Sequence, residues 1–324
     1  MKRLIVLALV LAVLAGGVVE WLLASFAAPG PVARQDGETV VLIKSGAGLH
    51  GIADALAAAG VVGQSELFQL GVRLHGETAA LRAGEYAIPS RASMYDIMNI
   101  LIEGKSIQHK LTVAEGLTSQ MAYDIIEADP VLKGAAGVMP PEGALLPETY
   151  LFVRGETRQG LIDKMEQARH SVLDALWEHR APNLPFRTKE QALILASIVE
   201  KETSIPEERR HIAAVFVNRL RLGMKLQSDP TIIYGITRGY PLGRRIRQSE
   251  IAAPTPYNTY VIAGLPPAPI CNPGRDSIAA VLDPEDSKDL YFVADGSGGH
   301  VFSASIAEQN KNVAKWRKIH DGQR

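Results

Sequence analysis

The sequence predicts an α+β protein in four stretches: a transmembrane helix with its cytoplasmic tip over residues 1–28, a linker over 29–37, a small α+β subdomain over 38–108, and a larger mixed α+β domain over 109–324. Three observations carry this. An uncharged apolar run follows Lys2 and Arg3. Two strand-like segments, residues 39–44 and 84–88, bracket two helical patterns. Further on, residues 192–199 are apolar on every face except Ser197, which suits a helix enclosed by protein rather than lying on its surface.

The N-terminal run spans residues 4–19, is interrupted by Glu20, and resumes at Trp21 through residue 28. At about 1.5 Å per residue, roughly 20 such residues cross a bilayer core. Positive residues ahead of the run place the N-terminus in the cytoplasm and export the rest. A cleaved signal peptide is the alternative, with Ser25 and Ala27 flanking Phe26 as a small-x-small site. The length of the run favours an uncleaved anchor. Proline and glycine at 29–31 open the linker. A weak repeat follows, with residues 45–56 similar to 90–101 and, more loosely, to 114–125. Each copy sets a small turn before a helix.

Bulk properties exclude several classes. The 324 residues carry a net charge of −1, so no basic surface for nucleic acid is indicated. The single cysteine, Cys271, permits no intramolecular disulfide. The eight histidines are scattered without zinc-ligand spacing, and no phosphate-cradling glycine loop is present. No metal is implied. Residues 110–113 begin another strand, and 157–180 form an amphipathic helix that reads as core packing. Glu142 and Glu148 lie in a proline-framed run, where a turn role is the ordinary one.

Residues 188–230 are the centre of the chain. Thr188 followed by Gln191 is a capping-box start. Glu200 is the first ionisable group after the apolar run, and it extends the wall begun by Leu193 and Ala196. Desolvation there favours a protonated carboxyl, which a general acid for a glycosidic oxygen requires. The competing reading makes Glu200 the start of a solvated helix end, since Lys201 and Glu202 follow at once. Glu202 is the rival carboxylate. About 200° of helix rotation separates the two, so a regular helix cannot aim both at one cleft. Pro206, Glu207 and Glu208 suit the first turn of the next helix, and Arg219 and Arg221 its last turns. Residues 289–294 and 300–303 alternate as a hairpin around a glycine-rich turn, and 306–320 close the chain as a helix.

Seven strings occur in order: P-P-E-G-A-L-L-P-E-T-Y-L-F (140–152), A-S-I-V-E-K-E-T (196–203), V-F-V-N-R-L (215–220), G-M-K-L-Q-S-D-P-T-I-I-Y-G (223–235), T-P-Y-N-T-Y (255–260), G-L-P-P (264–267) and Y-F-V-A-D-G-S-G-G-H-V-F (291–302). Together they resemble the YceG-like family of endolytic murein transglycosylases. The resemblance makes 109–324 the YceG-like catalytic domain and 38–108 a LysM-like subdomain, a module type that can grip N-acetylglucosamine polymers. A purely structural spacer is the other reading of that subdomain.

The resemblance further implies that Glu200, in the family's Glu position, is the catalytic acid/base. Gln227, Asp229, Tyr257, Asn258 and Tyr260 sit in loops dense in amides, hydroxyls and rings, the groups that recognise sugars, and are candidate substrate contacts. Asn218 either orients Glu200 or a sugar amide, or caps local backbone. The implied reaction uses one carboxylate rather than a hydrolase's two. Glu200 would protonate the β-1,4 oxygen between N-acetylmuramic acid and N-acetylglucosamine, then take the proton of the muramic C6 hydroxyl as it attacks C1. A 1,6-anhydro end results, with no cofactor. Nascent glycan strands are the implied substrate, peptidoglycan synthases at the membrane are candidate partners, and the catalytic domain lies outside the cytoplasmic membrane. A non-catalytic, membrane-anchored peptidoglycan-binding protein is the alternative.

Overall fold

The computed structural model describes residues 2–33 and 37–322. The chain forms two compact units. One runs to His109 and takes in Leu151–Glu156; the other comprises Lys110–Tyr150 and the chain from Thr157 onward.

The first unit opens with α1 (Lys2–Ala27). Its segment Ile5–Ala27 has mean hydropathy 2.5 and is the one helix among the described residues long and apolar enough to cross a membrane. Then come β1 (Glu38–Ile43), α2 (Leu49–Ala58), α3 (Ser65–Leu74), β2 (Gly84–Pro89) and α4 (Met94–Glu103). The strand–helix–helix–strand order follows the hydrophobic periodicity. β1 and β2 pair antiparallel, from Glu38 opposite Pro89 to Ile43 opposite Gly84. Period-2 alternation turns Val41, Ile43, Tyr86 and Ile88 inward onto Ile52, Leu56, Phe68, Val72, Ile97 and Leu101. α4 is closed at its start by a complete Ser93–Asp96 capping box and at its end by Gly104 in the left-handed conformation. Of the expected linker, residues 34–36 lie outside the described residues. Its first part is tied down, because the Gly30 N–H bonds to Arg91 O at 3.2 Å and Arg91 returns a bond to Pro31 O at 2.9 Å.

Glu85 is the one buried carboxylate among the described residues of this unit. Its carboxylate accepts from His109 Nε2 at 2.6 Å and from Arg154 Nε at 2.8 Å. Burial by itself would raise its pKa; the bonds from His109 and Arg154 outweigh that and hold it below the usual range.

The second unit contains β3 (Gln108–Thr112) and β4 (Thr149–Val153), which pair and whose first and last residues respectively belong to the first unit. It continues with α5 (Ser119–Ala128), α6 (Arg158–Glu178), α7 (Lys189–Glu202), α8 (Pro206–Arg221), α9 (Asp229–Thr237), α10 (Gln248–Ile251), α11 (Arg275–Leu282), the antiparallel hairpin β5 (Tyr291–Ala294) and β6 (His300–Ser303), and α12 (Ile306–Gly322). Helix α7 is the core. Its start is a full capping box, with Gln191 N donating to Thr188 Oγ1 at 3.2 Å and Thr188 N to Gln191 Oε1 at 3.3 Å. Every residue from 192 to 199 is buried. They pack on Ile212, Phe216 and Val217 of α8 and on Ile278, Val281 and Leu282 of α11. Ser197, the polar exception, is satisfied: its hydroxyl donates to Ile194 O at 2.7 Å and accepts from Ile270 N at 3.0 Å. Cys271 Sγ donates to Ser197 O at 3.3 Å, so this one residue stitches the 270–271 segment to the helix.

Replacing Glu85 by Gln takes the carboxylate acceptor from two half-buried donors, Arg154 and His109, and costs about 1–3 kcal/mol at neutral pH. Because the folded pKa is depressed, the carboxylate's contribution is complete above its usual value of 4.5 and disappears as pH falls through the folded value. Amide hydrogen exchange in β1 and β2 should therefore show wild type better protected than Glu85→Gln at pH 7, with the gap closing in acid.

Candidate active site

Helix α7 ends in Glu200, Lys201 and Glu202, and Thr203 then leaves in an extended conformation. The two carboxylates part, as helix geometry requires. Glu200 Oε2 accepts the Gly274 N–H at 3.0 Å. Lys201 Nζ donates to Gly116 O at 3.1 Å, so the side chains of this turn are held against residues 115–116. Glu115 stands beside Gly274, close enough that any Cβ there would collide with its carboxylate. Burial, and then the charge of Glu200, raise the pKa of Glu115, while Arg209 works against both. Arg209 is itself buried, reaching Asp276 at 3.4 Å and Glu115 at 3.9 Å.

Glu202 has different company. Its Oε1 accepts the hydroxyl of Ser228 at 2.5 Å. Ser228 is buried, with its N–H on Thr259 Oγ1 at 2.9 Å and its carbonyl accepting from Thr231 Oγ1 at 2.6 Å; the two threonine hydroxyls lie 2.9 Å apart. Asp229 begins α9, where a carboxylate suits the helix dipole, and its Oδ1 accepts the hydroxyl of Tyr260 at 2.6 Å. Burial raises the pKa of Glu202 to about 7; the Ser228 bond and the positive charges of His300 and Arg219 lower it, and Asp229 adds to the rise. Burial and the bond to Asp229 raise the Tyr260 phenol as well. A carboxyl poised near neutrality can give up a proton and take one back at the working pH of most cells, as acid/base chemistry requires.

The loop that meets Glu202 is fixed by Arg219. This guanidinium is buried, donates to Leu226 O at 2.8 Å and to Leu290 O at 2.6 Å, and lies 5.2 Å from the centre of the Tyr291 ring. It thus ties the end of α8, the 225–228 turn and β5 into one frame. Gln227 takes a left-handed φ of 52° in that turn, its N–H bonding Thr259 O at 3.1 Å.

Three of the expected contacts gather here: exposed Gln227, exposed Asp229 and Tyr260. The others are set apart. Both protons of the Asn218 amide go to backbone carbonyls, Ser287 O at 2.7 Å and Asp289 O at 3.2 Å, leaving neither for a sugar amide or for Glu200. Asn258 is buried; its amide donates to the carbonyls of Glu250, Ile251 and Ala253, and its oxygen accepts from Tyr260 N at 3.0 Å. It shapes the loop that presents Tyr260. Tyr257 packs on Tyr234 with ring centres 4.8 Å apart. Tyr234 in turn donates to Glu142 Oε2 at 3.0 Å, and Glu142 Oε1 accepts the Ser119 N–H at 2.7 Å, so this carboxylate clamps the start of α5. Ser228 and Arg219 were not singled out in the sequence. Arg219 read as ordinary helix-end charge; the signal available for Ser228 was its place between Gln227 and the helix-starting Asp229.

The profile of the YceG-like family matches residues 41–315. The chain is 28% identical to the endolytic murein transglycosylase of Bacillus subtilis over 319 residues, which is 88% of this chain and 87% of that one. It is 29% identical to the endolytic murein transglycosylase of Streptococcus pneumoniae over 322 residues, 84% of this chain, and spans 57% of that longer protein. A crystal structure of a YceG-like protein of Listeria monocytogenes superposes with a TM-score of 0.53 at 28% identity, covering 86% of this chain and 99% of that one. With its buried central helix, its E-K-E-T helix end and a family profile running through most of its length, the chain belongs to the YceG-like family.

Proposed function

We propose that this protein is a membrane-anchored peptidoglycan lytic transglycosylase in which the carboxyl at the end of α7 is the acid/base. Family membership and the activity named for its relatives support the general reaction. The observation that carries the local chemistry is Glu202, whose half-buried carboxyl accepts the Ser228 hydroxyl and is raised to about 7. In this reading Glu202 protonates the β-1,4 glycosidic oxygen between N-acetylmuramic acid and N-acetylglucosamine. Ser228 donates to the carboxylate that remains and steadies it. Glu202 then takes the proton of the muramic C6 hydroxyl as that oxygen attacks C1, with the sugar's own N-acetyl carbonyl assisting departure. The 1,6-anhydro ring closes without water. Gln227, Asp229 and Tyr260 offer an amide, a carboxylate and a ring at the exposed edge for sugar contacts.

Glu200 is the second reading, favoured by its electrostatic pairing with Glu115, which would supply a second carboxylate and point towards hydrolysis. The apolar helix 5–27, with Lys2 and Arg3 before it, supports a single-pass anchor with a cytoplasmic N-terminus and an external catalytic domain. The strand–helix–helix–strand unit is read as a LysM-like module that holds glycan near the anchor, and peptidoglycan synthases are its proposed neighbours there.

Product analysis by mass spectrometry on uncrosslinked glycan strands tests the assignment. Wild type should yield 1,6-anhydro ends; Glu202→Gln should lose about 100- to 10,000-fold in kcat/KM, and Glu200→Gln far less. The reverse ranking would move the acid/base to Glu200. Reducing ends would make the enzyme a hydrolase, and binding without cleavage by wild type would leave an anchored binding protein.

The titration gives a second check. Glu202 must begin protonated, so wild-type kcat/KM should fall as pH rises through about 7. Stability follows the same group. Its folded pKa is raised, so the folded state keeps the proton between 4.5 and about 7, and above that it carries a poorly solvated charge. Glu202→Gln should therefore be more stable than wild type at pH 8, by about 1–3 kcal/mol, with the advantage shrinking towards pH 5 in thermal unfolding.

A further inference from the structure

Phe26 stands one residue before the end of the apolar helix, yet it is 1% exposed. Its ring fills a socket in the first unit. The ring centre is 6.1 Å from Phe68, 5.3 Å from His75 and 6.5 Å from Tyr95. The floor is Gly71, where any Cβ would run into the Phe26 ring. The small unit is therefore packed directly onto the last turn of α1.

The rim of that socket is apolar and uncovered. On α3, Leu67, Leu70 and Leu74 fall at i, i+3 and i+7, a single stripe beside the face formed by Phe68, Gly71 and His75. Leu70 and Leu74 are 38% and 49% exposed, and Tyr95, at the start of α4 and in contact with Phe26, is 43% exposed. One exposed leucine needs no explanation. A leucine stripe with a tyrosine, ringed around the point where a hydrophobic helix emerges, matches the chemistry of a bilayer interface, where aliphatic side chains and amphipathic rings are stable at headgroup depth. Arg73, exposed on α3 between the two leucines in sequence, supplies a charge for lipid phosphate.

We propose that the Leu67–Leu70–Leu74 stripe of α3 and Tyr95 of α4 form a lipid-contacting surface that seats the small unit in the interface of the membrane that α1 crosses. The occupant follows from continuity: the apolar surface of α1 runs to Ala27 and its last ring is already part of this face. The proposal rests on the reading of α1 as an anchor.

The test uses the full chain in phosphatidylglycerol and phosphatidylethanolamine vesicles, with a bimane label on a cysteine introduced at position 14, 74 or 105 in a Cys271→Ser background. Leu14 lies within α1. Lys105 follows α4 at the end away from Tyr95, and its side chain is 85% exposed. The expected result is quenching of labels 14 and 74 by brominated lipid, with label 74 shielded from aqueous iodide and label 105 quenched by iodide alone. If label 14 is quenched by brominated lipid while 74 behaves like 105, the surface is refuted and the anchor stands. If label 14 is itself open to iodide, the anchor reading fails and the surface with it.

Discussion

A helix that is apolar on all sides must be covered on all sides, and α7 imposes that demand on the second unit. Residues 192–199 have no solvent face, so α8, α9 and α11 are arranged around them. Burying so many aliphatic side chains contributes on the order of 1.5–3 kcal/mol for each large one. The single polar interruption, Ser197, carries no penalty because its hydroxyl and carbonyl are both bonded, and both bonds draw in the 270–271 segment. Gly274, the partner of Glu200, follows directly from that segment. The same burial that stabilises the core therefore sets where the carboxylates at the end of the helix come to rest.

Those carboxylates differ through what reaches them rather than through anything intrinsic to glutamate. Glu200 meets a backbone N–H; Glu202 meets a buried serine hydroxyl, with an aspartate close enough to push its pKa up. The serine is where it is because Arg219 gathers the carbonyls of the preceding turn, and because Thr231 and Thr259 engage its backbone from either side. The tuning of one proton thus depends on groups supplied by α8, α9 and the 255–260 loop.

The fold was largely legible because its signals are local. The capping box at Thr188, the unbroken apolar run after it, the proline start of α8 and the alternating hairpin at 291–303 each declare an element within a few residues. The site was less legible because its relations are distant in sequence. Asn218 and Asn258 have the right chemistry for sugar, and nothing nearby in the chain reveals that backbone carbonyls occupy their amides. Periodicity followed the apolar wall to Glu200, but it cannot tell which of two carboxylates a loop some 26 residues later will approach. Of the residues marked out by loop composition, Gln227, Asp229 and Tyr260 are brought together by bonds between the 226–229 and 255–260 segments.

Cys271 adds a consequence of its own. Burial drives its thiol pKa well above the usual value, with the negative charge of Glu200 adding to the rise. The thiolate is the form that attacks disulfides and peroxides. The chain's only sulfhydryl is thereby kept in its unreactive state, packed beneath α7 and bonded to Ser197 O. A protein of this build can work in an oxidising space without mixed disulfides or sulfenic acid forming at its core. The burial that brings the 270–271 segment against the central helix also holds its thiol in the protonated form.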